Sequence, residues 1–71
     1  MRFIEMNDSM INLEFVTKIY KDISPTPGGN HMQNDIHICT TDSKETVFHY
    51  PKSQEAKMLN DWKYLHEKVF I

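Results

Sequence analysis

Three side chains capable of metal binding or acid–base chemistry sit close together in the second half of the chain: His37, Cys39 and His49. Imidazole and thiolate are good ligands for zinc and copper. His37 and Cys39 are two residues apart, so on an extended strand both project from the same face. If the chain folds back around Ser43, His49 falls opposite His37 and all three share one surface. They are therefore the candidate metal ligands. The competing reading makes the two histidines ordinary outward residues of an exposed sheet and Cys39 a small apolar filler. Structural zinc sites nearly always take four ligands at recognisable spacing. A full set here would need the histidines of a second chain.

Other chemical signatures are missing. Gly28-Gly29 is not followed by Gly-Lys-Ser/Thr, and there is no Cys-x-x-Cys or His-Glu-x-x-His. No catalytic residue is assigned and no cofactor is expected. His66, one turn after Trp62, is a candidate pH-sensitive group, and more simply a boundary residue bonded outward. Trp62 could stack on a ligand, but a Trp central to an apolar helix face is more often core.

The elements that must position these residues are legible from periodicity. From Ser53 to Phe70, Met58, Leu59, Trp62, Leu65, Val69 and Phe70 fall on one side of a helix at about 100° per residue. Lys57, Asn60, Asp61, Tyr64 and Lys68 fall opposite, as a solvated face. Ser53 is the expected N-cap, and Glu55 and Lys68 suit the two ends of the helix dipole. Such a stripe must bury itself. Trp62 is expected to be its deepest side chain, on Ile38, Phe48 and one of Ile19 or Leu13.

Upstream, residues Arg2 to Met6 read as a strand, Asn7-Asp8-Ser9 as a turn, and Met10 to Asn12 as a second strand. A bend is expected at Leu13-Glu14-Phe15, then a strand from Thr17 to Ile23. Two prolines and two adjacent glycines make about 24–34 a flexible loop. Asp35 to Thr41 and Thr46 to Tyr50 alternate, forming a hairpin that pairs Ile38 with Phe48, Cys39 with Val47, and His37 with His49. The expected class is α+β: one domain, residues 1–71, with a small antiparallel sheet of four or five strands and the C-terminal helix on one face.

Composition narrows the function. The chain has 71 residues, 8 basic and 10 acidic, for a net charge of −2. No like-charge run marks a basic arm or an acidic tail, so nucleic acid is not the favoured partner. The first residues lack a signal-peptide core, and no apolar run reaches membrane-spanning length. One cysteine excludes an intrachain disulfide and suits a reducing, cytoplasmic setting. A domain this small buries only about 60% of its unfolded surface, which leaves self-association as a natural staple.

The first half, with Phe3-Ile4-Glu5-Met6, the Asn-Asp-Ser turn and Ile11-Asn12-Leu13-x-x-Val16-x-x-Ile19, resembles a pattern in short uncharacterised bacterial and phage proteins. The resemblance implies a β-meander followed by a C-terminal helix, and it carries no catalytic residue. The expectation is a small non-enzymatic interaction or regulatory protein, as a homodimer or with a protein partner. A nucleic-acid-associated regulator would need Lys18, Lys21, Lys44 and Lys52 on one surface. A metal-binding protein would use the His37 face.

Overall fold

Asn7 and Asp8 set the first element. Both have positive φ, 51° and 63°, the signature of a two-residue turn of the mirror-image type that joins antiparallel strands. It links β1 (Phe3–Met6) to β2 (Ser9–Asn12), with Ile4 opposite Ile11. Alternation then puts Ile4, Met6 and Ile11 inside and Phe3, Glu5 and Met10 outside. This is a computed structural model, and it describes residues 2–70.

A 3-10 turn at Leu13–Phe15 follows, held where Asn12 Oδ1 accepts the Glu14 amide N–H at 3.0 Å. It buries Leu13 and turns the chain out of the first pair of strands. Strand β3 (Val16–Pro25) therefore does not continue that sheet. It pairs with β4 (Met32–Thr40), which pairs with β5 (Glu45–Tyr50). The single sheet expected from the sequence is thus two antiparallel sheets, one of two strands and one of three. The α+β class holds.

Two connections also differ from expectation. The loop expected at about 24–34 shrinks to 26–31, because Pro25 and Met32 are already paired. Gly29 N–H donates to Thr26 O at 2.7 Å, with Pro27 and Gly28 between them and Gly28 at φ 94°. Proline first and a positive-φ glycine second make a type II turn. The β4–β5 connection is also tighter. Ser43 N–H donates to Thr40 O, Thr40 N–H to Lys44 O, and Ser43 has φ 65°. That is a three-residue loop closed by a left-handed residue. It pairs Ile38 with Thr46, His37 with Val47 and Asp35 with His49, two residues from the expected register. A slip of two preserves the faces, so the apolar side is still Ile36, Ile38 and Phe48.

Helix α1 (Glu55–Val69) begins after a second 3-10 turn, Lys52–Gln54. Ser53 lies inside that turn, and Gln54 occupies the cap position without a side-chain cap bond. Helix and β1–β2 hairpin lie side by side over one face of the larger sheet, tied by Asn7–Asp61 and by Arg2, which donates to Lys68 O. Between them lies the core: Ile4, Met6, Ile11, Leu13, Ile36, Ile38, Tyr50, Met58 and Leu65. The deepest helical side chain is Leu65, not Trp62. Met58 and Leu65 are the buried side chains of the helix. Trp62 is pushed to the β3 flank, half-buried, with Lys21 Nζ 5.1 Å from its ring centre.

Candidate functional site

The face of the larger sheet away from the helix carries most of the polar side chains singled out by sequence. His37 projects from the central strand and stacks on Tyr20 of β3, ring centres 4.3 Å apart and planes 4° apart. Its Nδ1 is hydrogen-bonded to Glu45 Oε1 on β5, and Tyr20 OH donates to the same oxygen at 3.0 Å. The hydrogen bond from His37, and next that from Tyr20, hold the Glu45 carboxyl below its ordinary pKa. In return the bond to Glu45 pushes the Tyr20 phenol up. His37 Nε2 is buried, has no hydrogen-bond partner among the described residues, and lies 4.0 Å from Asp22 Oδ2.

The three candidate metal ligands share this face but do not converge. In the observed register His49 sits opposite Asp35, its Nδ1 2.8 Å from a carboxylate that is only 2% exposed. Cys39 is half-buried, a pair further along, between Lys18 and Glu45. Both histidines point at carboxylates rather than at each other. Among the described residues, no three His, Cys, Asp or Glu side chains gather as a metal-holding group.

The four lysines of the nucleic-acid reading do not converge either. Lys18 lies on the Tyr20 face, its Nζ 4.9 Å from that ring, and Lys21 on the Trp62 face. Lys44 precedes β5 and Lys52 follows it, at opposite ends of the strand.

A second polar cluster was not anticipated. Asn7 Nδ2 donates to Tyr50 OH and Tyr50 OH to Asp61 Oδ2, both at 2.7 Å. Lys57 Nζ donates to Asp61 at 2.8 Å and to Asn7 Oδ1 at 2.6 Å. Two residues of the face read as solvated, Lys57 and Asp61, thus belong to the seam between helix and hairpin, while Asn60 and Tyr64 are exposed as expected. The i,i+4 spacing of Lys57 and Asp61 was its one sequence signal. Burial and the Asp61 hydrogen bond drive the Tyr50 phenol far above its ordinary range. Burial also pushes Asp61 up, but the bonds from Lys57, Tyr50 and Asn7 outweigh it and the net shift is down.

These shifts fix the pH response. Glu45, Asp61 and Asp42, which accepts bonds from Thr40 and Lys44, are lowered by folding. Their contribution is present above the unfolded carboxylate range, about pH 4, and is lost as pH falls through the lowered values. Tyr20 and Tyr50 are raised, so stability also declines as pH climbs past about 10, where the unfolded phenols ionise. Urea midpoints measured from pH 2 to 11 should form a plateau falling at both ends. A midpoint rising below pH 4 would contradict the assigned bonds.

The exposed apolar surface of interest lies elsewhere, along the outer edge of β3. Ile23 is 59% and Leu59 49% exposed. They meet at a cleft of about 350 Å³ also lined by Lys21, Asn34, Glu55 and Met58. The stripe continues along that flank of the helix through Trp62 and His66 to Phe70, with the His66 ring 6.1 Å from Trp62 and 4.7 Å from Phe70.

Among the described residues no helix is long and apolar enough to cross a membrane. Comparison with known proteins finds no matching family model, no matching curated protein and no matching solved structure.

Proposed function

We propose that the chain is a small non-enzymatic interaction protein that works as a homodimer in the cytoplasm, with the β3 flank as its contact surface. The observation that carries this reading is the apolar strip from Ile23 through Leu59 and Trp62 to Phe70, bordered by Lys21, Glu55 and Asp22. An apolar patch with a charged rim is a common mark of a protein interface. The face of the larger sheet away from the helix is less suited, because Val47, Cys39 and Tyr20 are half-buried there among bonded polar groups.

The non-enzymatic reading draws support from His37. Its Nε2, the nitrogen a general base would use with Nδ1 held by Glu45, is buried and turned toward Asp22. A base must reach the proton it removes. The opposite facing of Lys18 and Lys21 weighs against a nucleic-acid surface.

Sedimentation velocity tests the reading. The native chain should associate at high micromolar concentration. Leu59→Asp should remain folded by circular dichroism and sediment as a monomer. A native chain that stays monomeric, or a Leu59→Asp variant that associates as strongly, would refute it.

A further inference from the structure

Backbone direction along β3 shows which part of its outer edge is open. Thr26 N–H points inward, to His31 O across the hairpin, while Ile23 N–H is taken by the Asp22 side chain at 2.8 Å. Alternation along an antiparallel ladder then turns the amides of Tyr20, Asp22 and Ser24 toward β4 and those of Ile19, Lys21 and Ile23 outward. Pro25, which has no N–H, falls on the outward set, where an edge proline belongs. The edge is blunted at both ends. Asp22 covers the Ile23 amide, Pro25 follows, and a register shift between Val16 and Lys18 interrupts the other end. Among the described residues, what remains open is the short run from Ile19 to Lys21, centred on Tyr20.

We propose that this run pairs, antiparallel, with β3 of a second copy about a two-fold axis at Tyr20. The proposal rests on the self-association reading and specifies its geometry. Only registers that keep the two sheet faces continuous are allowed. Centred on Tyr20, the outward groups of Ile19 meet those of the partner's Lys21, giving two hydrogen bonds at each such pair. The same register sets Lys18 opposite the partner's Asp22, twice by symmetry. Asp22 is 57% exposed on its side chain, and among the described residues its ion-pair partner is the distant His37 Nε2, 4.0 Å away. Moving the axis to Lys21 sets that lysine against its own copy, and moving it to Asp22 does the same with two carboxylates. Like charges directly opposite are destabilising. An axis at Ile19 leaves no opposite-charge pair across the strands. Only the Tyr20 register satisfies both the open backbone and the charges. It also brings the Leu59–Trp62 flanks of the two helices to the same side of the joined six-stranded sheet.

Two experiments test it. Lys18→Glu and Asp22→Lys should each raise the dimer dissociation constant about tenfold, and the double variant should recover most of the loss, as expected for cross-strand pairs. At a two-fold axis the Tyr20 positions form a non-hydrogen-bonded pair with Cα atoms about 4.5 Å apart, within disulfide reach. Tyr20→Cys in a Cys39→Ser background should therefore form a covalent dimer on mild oxidation, and Ile23→Cys in the same background should not. A Tyr20→Cys protein that self-associates but does not cross-link, or a double charge variant as weak as the singles, overturns this geometry and leaves self-association standing. A native chain that is monomeric throughout overturns both.

Discussion

Leu65→Ala is expected to leave the chain largely unfolded at room temperature. Leu65 has no exposed surface and lies in the one core that helix, hairpin and sheet share. Removing a buried leucine to alanine costs about 2–5 kcal/mol, counting the cavity left behind. A single-core domain of this size seldom has more than about 3–5 kcal/mol in total. Trp62→Ala should be milder, because Trp62 is half-buried at the β3 flank and one side of its ring meets Lys21. The Trp62 variant should stay folded and lose self-association. Urea unfolding followed by far-UV circular dichroism separates the two. A cooperative, well-folded Leu65→Ala protein beside an unfolded Trp62→Ala protein would reverse the assignment of the core.

The second large effect is expected at Tyr50. Tyr50→Phe keeps the ring, which is 2% exposed, but removes the hydroxyl that accepts from Asn7 and donates to Asp61. The two bonds lost are each worth about 0.5–1.5 kcal/mol net. The loss should appear mainly at the seam between hairpin and helix. Asp61 keeps Lys57 in the variant, and Asn7 keeps Lys57 through its Oδ1, so the domain should remain folded with a lower urea midpoint. The alkaline decline in stability should also shrink, because one raised phenol is gone. An unchanged midpoint would mean that the cluster is loosely made in solution.

The sequence was informative where periodicity is strong and buried. Alternation from Ile36 to Thr40 and from Thr46 to Tyr50 assigned the correct faces, because one side of that hairpin must meet the core. The bend at Leu13–Phe15 was legible as a break in alternation. The exact pairing was not, because it depends on Ser43 adopting a left-handed conformation, which a serine does not announce. The division into two sheets was also hidden. It arises because the turn at Leu13–Phe15 takes β3 out of the first pair of strands and leaves the β1–β2 hairpin to compete with the helix for one sheet face, a tertiary effect that no local pattern carries. The same competition moved Trp62 aside and brought Lys57 and Asp61 into the seam. The candidate His37–Cys39–His49 surface failed to converge for the first reason: a pairing two residues away put Asp35, not His37, opposite His49.

The central claim is that the β3 edge meets a second copy, and amide hydrogen exchange of the native chain tests it most directly. Within one chain the Ile19 and Lys21 amides face outward, while those of Tyr20 and Asp22 are bonded to β4. At low micromolar concentration Ile19 and Lys21 should exchange quickly and their neighbours slowly. At millimolar concentration both should become protected, with Tyr20 and Asp22 little changed. Rapid exchange of Ile19 and Lys21 at every concentration would contradict the account.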